Sequence, residues 1–409
     1  MLKIKSKYVF IAAIIASTIF TSSSVMAREI NKETTDVHKS WNLQFNQDVD
    51  FNDEAKSDIT VVDSKGNVLV TNIRLGNSKT IIVDAPKEGY KVGEHYVINI
   101  SDKLRSKKNK PLKESIQCNF VVNGAQDIYG TKVDTALSLG MNKILGEFKD
   151  GSGNDWEALI LSRYGQEVPA KYLSNLESNL KACNGIMGQP TDYERTTLAL
   201  MAIGKDPTNF NGYNLIEKIY NSDDMQNQGI NAYIFALIAL DSGKFNVPDN
   251  AIWTREKLIN KILNGRTEDK GWSYGGDSAD PDMTGMALTA LAPYKDKSDV
   301  KSAIDEAVNR LSAIQSADGS FSSWGTVNSE SCSQVIIALC ANGVDPTGDK
   351  FTKNGKNALD ALLQCQVEGG GFYHTKETGY NTMGTDQALE ALEAYKMFKE
   401  GKGGLYIFK

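Results

Sequence analysis

Histidine and cysteine are scarce in this chain, with three His and five Cys among 409 residues. Cys118, Cys183, Cys332, Cys340 and Cys365 are too sparse, and odd in number, to form the disulfide framework of a small stapled domain, so a hydrophobic core must hold the fold. An excess of basic charge is also lacking: 45 Lys and Arg face 51 Asp and Glu, a formal net charge of −6. That balance gives no support to nucleic acid as a partner, and none is expected, because phosphate neutralisation needs a concentrated basic face. The one basic run, Lys103 to Lys113, reads as a solvated loop between strands. Long apolar runs are missing as well, apart from Tyr8 to Phe20, which is too short to span a bilayer. With Lys3, Lys5 and Lys7 before it and Thr-Ser-Ser-Ser-Val-Met-Ala27 after it, this run has the layout of a cleavable secretory signal. No Cys follows as a lipid anchor point and the C-terminus carries no apolar tail. The expectation is a secreted protein, at most loosely associated with a cell wall, with no membrane span after signal cleavage at residues 1–27.

Residues 28–123 show short alternating segments: Trp41 to Phe45, Ile59 to Val62, Val68 to Val70, Thr80 to Val83, His95 to Ile100 and Ile116 to Val122. Turn residues such as Gly66, Gly76, Pro86 and Gly93 separate them, which predicts an antiparallel β-sandwich. Trp41-Asn-Leu-Gln-Phe-Asn-Gln-Asp-Val49 and Gly89 to Tyr96 resemble the bacterial Ig-like domains of surface proteins. That resemblance implies a spacer.

Beyond Gly124 the apolar period changes from two to about 3.6, and the chain repeats itself at intervals of roughly 40 to 50 residues, a length suited to helix pairs. Six pairs are predicted within 124–409: 133–148 with 154–164, 170–183 with 192–203, 211–221 with 228–241, 250–264 with 281–293, 298–315 with 328–342, and 354–367 with 381–399. The second helix of each pair carries an Ala-Leu-like knot: Ala158-Leu159, Ala199-Leu200, Ala236-Leu237, Ala287-Leu288, Val335-Ile336 and Ala388-Leu389. Such helices are buried on most sides, whereas the polar first helices suit an outer layer. Six inner helices within six outer ones close naturally into a ring. An open solenoid is the alternative, but Asp386 to Tyr395 shows no clear capping face.

Gln315-Ser-Ala-Asp-Gly-Ser-Phe321 and Gln366-Val-Glu-Gly-Gly-Gly-Phe372 share one spacing, and Arg266 to Trp272 is a degenerate third copy. These segments resemble the Gln–Trp repeats of the terpenoid cyclase and protein prenyltransferase superfamily (the prenyltransferase/squalene oxidase repeat). The resemblance spans about residues 125–400 and implies an all-α α6/α6 toroid. It does not fix an activity, since that fold serves many functions.

Counting five residues back from each knot places Glu194, Asn231, Asp282, Glu330 and Met383 at one shared position near the helix start. The first repeat has Gly153 there, with Asp155 close by. A closed ring then gathers Glu194, Asp282, Glu330 and Asp155 around one mouth. Acidic residues also serve at helix N-termini simply by capping and by opposing the macrodipole. Their convergence, however, suits a cation, a polar ligand or a shared proton. Among the loop aromatics, Trp272, Phe321 and Phe372 fall at the staple position of the repeat. Trp156, Tyr274, Trp324 and Tyr373 fall outside it and are the candidates for stacking on a ligand.

Two further resemblances bear on chemistry. Asp280-Pro-Asp282-Met-Thr284 is similar to the Asp-x-Asp-Asp-Thr motif of class II terpene cyclases, which implies Asp282 as the proton donor to an alkene or epoxide. Met283 replaces the last Asp of that motif, removing part of the acid's support. Glu330-Ser-Cys332 with His374 faintly resembles the zinc site of protein prenyltransferases. The matching position in the next inner helix is Met383 to Gly384, so no metal and no cofactor are expected.

The sequence therefore favours a secreted or cell-surface protein that binds a small molecule, glycan or peptide at the toroid mouth without catalysis. The residues expected to do so are Glu194, Asn231, Asp282, Glu330, Trp156, Tyr274, Trp324 and Tyr373. The alternative is an enzyme, either terpenoid cyclase-like with Asp282 as general acid, or a polysaccharide-degrading toroid using paired carboxyl groups. Cavity shape separates these: deep and apolar favours an isoprenoid, shallow and acidic with flanking aromatics favours a glycan, peptide or cation.

Overall fold

The structure, a computed structural model, describes residues 12–14, 28–34, 36–122, 128–148 and 153–408. The chain divides into two compact units, Met1–Ile128 and Tyr129–Lys409. Of the expected export signal, only Ala12–Ile14 belongs to the described residues.

The first unit contains β1 (Ala12–Ile14), β2 (Arg28–Thr34), β3 (Trp41–Phe45), helix α1 (Asp53–Ser57), β4 (Ile59–Asp63), β5 (Ile73–Asn77), β6 (Thr80–Val83), β7 (His95–Ile100) and β8 (Ile116–Val122). Two four-stranded sheets form, in the orders β1-β3-β6-β5 and β2-β8-β7-β4. Alternate residues of β3, β7 and β8 are buried, as period-two side-chain placement requires. Trp41 of one sheet meets Phe120 of the other with ring centroids 4.7 Å apart. One pairing departs from the antiparallel expectation: β2 runs parallel to β8. These two strands lie at opposite ends of the unit's sequence, so no hairpin constrains their direction.

The second unit is built from α2 (Ile128–Phe148), α3 (Asp155–Arg163), α4 (Ala170–Ala182), α5 (Pro190–Ala202), α6 (Leu215–Tyr220), α7 (Gly229–Ser242), α8 (Arg255–Asn264), α9 (Pro281–Leu291), α10 (Ser298–Ile314), α11 (Ser329–Ala341), α12 (Ala358–Leu363) and α13 (Thr382–Lys399). The odd-numbered helices from α3 to α13 pack each on the next, and α13 packs on α3. The ring is closed, and the unit is an α/α toroid. Outer helices bury one stripe, as in α10, where Val300, Ala303, Ile304, Ala307, Val308 and Leu311 are buried at the spacing of an amphipathic helix. In α11 the run from Ser329 to Leu339 is buried throughout. Outer helices α6 and α12 are shorter than expected. Asn211-Gly212 and Asn354-Gly355 adopt positive φ just before them, and such pairs turn the chain where a helix would otherwise begin.

The Gln–Trp-like segments explain how neighbouring hairpins are joined. Trp272, Phe321 and Phe372 are fully buried. Gln315 Nε2 donates to Gly319 O at 3.0 Å and to Phe351 O at 2.9 Å. Gln366 Nε2 repeats this to Gly370 O at 3.1 Å and Ala136 O at 2.9 Å. Arg266 does the same work in the degenerate copy, reaching Lys270 O and the Glu306 carboxyl group. Each contact ties one hairpin to the next outer element, and the Gln366 bond to α2 joins the last repeat to the first. Glycine is demanded at two of these turns: a Cβ on Gly319 (φ 85°) or Gly370 (φ 95°) would lie 2.4 Å from Asn357 O or 2.3 Å from Leu139 O. Lys270 holds the same conformation at φ 77° in the third copy.

Closure also buries charge-bearing groups. Asp386, Glu390 and Glu393 form an i, i+4, i+7 stripe on α13 and are all buried. Asn154 Nδ2, at the start of α3, donates to Asp386 at 3.0 Å, and Tyr406 OH donates to Glu390 at 3.2 Å. Residues 403–408 fold over the C-terminal ends of the inner helices, where Arg163 donates to the carbonyls of Leu405 and Ile407 at 2.6 Å. Burial pushes Asp386 up to about 8 and Glu157 and Glu393 each to about 7, and drives Glu390 well above the carboxyl range.

Two predictions follow from ring closure. Gly370→Ala should destabilise the fold by about 3 kcal/mol or more through backbone overlap, and Gln366→Ala by about 1–3 kcal/mol. Urea unfolding measures both, and losses below about 0.5 kcal/mol would contradict a closing role. The pH response follows from the raised carboxyls, which hold protons in the fold that the unfolded chain releases near pH 4. Their stabilisation is complete below that value and lost as pH rises through about 7 to 8. The melting temperature should fall by about 5 °C or more from pH 5 to pH 9, with a shallower slope in Asp386→Asn. A flat profile would contradict the burial of these groups in protonated form.

Candidate functional site

The rim of one mouth is set by the N-terminal caps of three successive inner helices. Asp280 accepts from Met283 N at 2.9 Å, Asn328 from Ser331 N at 2.8 Å, and Asn381 from Gly384 N at 2.8 Å. Pro281, with no N–H to satisfy, takes the first helical position of α9, as its fixed φ favours. The second helical positions of α9 and α11 are Asp282 and Glu330. Both line a cavity of about 470 Å³ together with Ser323, Trp324, His374 and Met383. Gly384 permits the close approach of α13 here, since a Cβ would lie 2.9 Å from Ser329 Oγ. Ser329 N in turn donates to His374 O at 3.1 Å, fixing the loop that carries the imidazole.

The electrostatics are asymmetric across this cavity. His374 Nδ1 donates to Glu330 Oε2 at 2.9 Å, and Ser329 Oγ donates to the same oxygen at 3.0 Å. A carboxyl group on Nδ1 fixes the orientation of the ring and leaves Nε2 for other partners. Asp282 is in a different environment. Burial, the largest cause, pushes it up to about 6; nearby Asp280 and Glu330 act in the same direction, while the Ser331 and Ser323 hydroxyls beside it act in the opposite one. Its Oδ1 is buried and has no hydrogen-bond partner among the described residues. Such a group retains a proton into the range where general-acid chemistry operates.

Trp324 stands at the tip of a hairpin formed by β9 (Ser322–Ser323) and β10 (Thr326–Val327). It is 78 % exposed, and its φ is 52°. Left-handed backbone costs a residue with a side chain about 1–2 kcal/mol.

The structure brings together only part of the expected set. Asp282, Glu330 and Trp324 share the cavity. Tyr373 lines a neighbouring cavity of about 440 Å³, and its hydroxyl donates to Gln364 O at 3.4 Å. Tyr274 is exposed in the loop before α9, and Asn231 is half-buried in the first turn of α7. Neither belongs to the cavity. Glu194 is completely buried, with both carboxyl oxygens unpartnered among the described residues. Burial drives its pKa well up. The reason is register: the knot lies six residues from the helix start in α9, α11 and α13 (Pro281 to Ala287, Ser329 to Val335, Thr382 to Ala388). In α5 it lies nine residues in, Pro190 to Ala199, so Glu194 sits a turn below the rim. Asp155 is a structural node, accepting from Tyr172 OH at 2.6 Å, Thr196 Oγ1 at 2.7 Å and Arg195 Nε at 3.1 Å. Trp156 turns into the ring and packs against Phe235 at 5.7 Å; α3 and α7 are separated by α5, so this contact crosses the interior.

Both motif resemblances resolve into local structure. In Asp280 to Thr284, Asp280 is the cap, and Thr284 Oγ1 accepts from Trp272 N at 3.0 Å. Thr385 Oγ1 does the same for Phe372 N at 2.9 Å. Cys332 occupies the corresponding position in α11 and is hydrogen-bonded to the Phe321 backbone, so it belongs to the staple. The pairing of His374 with Glu330 was the principal omission from the sequence reading. Only the weak zinc-like resemblance had placed the two residues together.

No protein family matches the chain, and no curated protein is similar to it in sequence. Among solved structures, it is similar to an unsaturated glucuronyl hydrolase from Bacillus sp. GL1, with 12 % identity over 69 % of this chain and 100 % of that one, at a TM-score of 0.49. It is also similar to a type II terpene cyclase from Scytonema, with 12 % identity over 66 % of this chain and 98 % of that one, at 0.43. An ent-copalyl diphosphate synthase from Streptomyces platensis matches at 18 % identity and 0.39, over 60 % of this chain; the match spans half the length of that enzyme. These are likenesses in the arrangement of helices, and no activity passes from them to this chain.

Proposed function

We propose that the helical unit is a carbohydrate-active enzyme that hydrolyses a glycosidic bond in the cavity lined by Asp282, Glu330 and His374. The observation that carries this reading is the pairing of unlike groups in one cavity. Asp282 is a carboxyl raised to about 6, and His374 is a ring oriented by Glu330 at 2.9 Å. An acid and a base held in separate environments are what replacing one oxygen by another at an anomeric carbon requires. In this mechanism His374 Nε2 takes a proton from water as the water oxygen attacks the anomeric carbon. The glycosidic C–O bond breaks, and Asp282 delivers its proton to the leaving oxygen. A carboxyl group of raised pKa lining the same cavity as a carboxyl–imidazole pair favours bond cleavage over simple ligand capture, the reading favoured from sequence.

Other chemistries fit less well. Elimination from a uronic acid needs its carboxylate neutralised, and the cavity has no Lys or Arg among its lining residues. Neutral or amino sugars suit the acidic lining instead. Cyclisation of an isoprenoid needs an apolar chamber facing the acid, but the cavity that Asp282 lines also holds Asn328, Glu330, His374 and Gln387. The apolar cavity, about 380 Å³ and lined by Ile238, Ala290, Ile337 and Leu405, lies at the opposite mouth. In the same proposal, residues 1–27 export the protein and the β unit is an Ig-like spacer.

Asp282→Asn should lower turnover at least about 10³-fold with the fold intact, and His374→Ala at least about 10²-fold. Wild-type activity should decline as pH rises through about 6, where Asp282 gives up its proton. Reducing-sugar release from a panel of neutral and amino-sugar polysaccharides provides the assay, with circular dichroism as the fold control. Full activity in Asp282→Asn, or none in the wild type across the panel, would overturn the proposal.

A further inference from the structure

The chain contains its own control for the Trp324 hairpin. A second hairpin with two-residue strands, β11 (Thr352–Lys353) and β12 (Lys356–Asn357), turns through Asn354-Gly355 with φ values of 48° and 75°. The first turns through Trp324-Gly325 with φ values of 52° and 78°. Asn-Gly is the sequence this turn prefers, because both central residues must be left-handed. Of the other described non-glycine residues at positive φ, Asn109, Asn184, Asn211 and Asn354 are Asn, and Lys244 and Lys270 are Lys. Trp324 is the single aromatic among them. It gains no burial in return, being 78 % exposed. A strained position that holds a large exposed aromatic is better explained by what the ring contacts than by folding.

The surroundings of the hairpin identify that contact. Thr326 and Asn328 line both the 470 Å³ cavity that holds Asp282 and the 440 Å³ cavity that holds Tyr373, so the hairpin stands between them. The second cavity presents Asp318, Ser320, Gln364 and the Tyr373 ring. Two adjoining concave sites that set hydroxyl, amide and carboxyl groups among apolar lining, with an exposed indole at the edge of the first, suit a hydroxyl-bearing chain more than the flat apolar surface of a protein partner. We infer that the Trp324 hairpin is a stacking platform for a neutral oligosaccharide that runs across it from one cavity into the other, so that the ligand is a glycan chain and not a single sugar. This rests on the proposed reading of the mouth cavity as a glycan site.

The test measures binding separately from cleavage. Full-length Asp282→Asn protein is titrated calorimetrically with β-glucan, xylan, mannan and chitin oligosaccharides, from mono- to hexasaccharide. At least one series should bind, with affinity rising at least about 10-fold from di- to hexasaccharide. Adding Trp324→Asn should weaken hexasaccharide binding at least about 10-fold while leaving the melting temperature unchanged or higher. Trp324→Phe should retain most of the affinity. An unchanged Kd in Trp324→Asn, equal affinity for mono- and hexasaccharide, or no binding in any series would overturn the inference. Chain-length-dependent binding with no cleavage by the wild type would instead sustain the platform and refute the catalytic reading.

Discussion

Closure of the helical ring is the constraint on which the rest of the toroid depends. Each inner helix packs on its neighbours, so α13 would expose one whole side if it did not meet α3. The Gln366 bond to Ala136 O and the Asn154 bond to Asp386 join the last repeat to the first in the outer and inner layers respectively. Closure has an electrostatic consequence: it traps Asp386, Glu390 and Glu393 between α13, α3 and residues 403–408. A hydrophobic stripe would have packed there at less cost in desolvation. The fold therefore carries a built-in dependence on pH, separate from that of the mouth.

Closure also gives the mouth its geometry. Three caps, Asp280, Asn328 and Asn381, hold the first turns of α9, α11 and α13 in one register, which brings Asp282, Glu330 and the His374 loop to a common cavity. The other half of the ring is offset and contributes its polar residues to the interior. Glu194 and Asp155 are examples, one sealed with no hydrogen-bond partner among the described residues and the other accepting three hydrogen bonds. Unequal helix starts thus confine the chemistry to one side of an otherwise repetitive ring.

How much was legible in the sequence follows from the same register. The hairpins and their staples could be read because the Gln/Arg-to-aromatic spacing recurs and the inner helices share an apolar knot. The two short outer helices were misjudged where Asn-Gly pairs interrupt helical periodicity. Alignment on the knots puts Glu194 level with Asp282 and Glu330, whereas Asp282 and Glu330 stand second in their helices and Glu194 fifth, because distance from knot to helix start is constant only in the last three repeats. The α13 carboxyl groups are interspersed with the apolar residues of the same helix, and ring closure makes them interior. His374 lies in a loop with no periodicity, and its pairing with Glu330 depends on the approach of α13 to α11 that Gly384 allows.

The central claim is that Asp282 remains a proton donor where ordinary Asp side chains are ionised. Its carboxyl carbon can be titrated directly by NMR in uniformly labelled protein, with Asp282→Asn identifying the resonance. The account predicts a midpoint of about 6. A midpoint near 4, the value of an ordinary Asp, would contradict it.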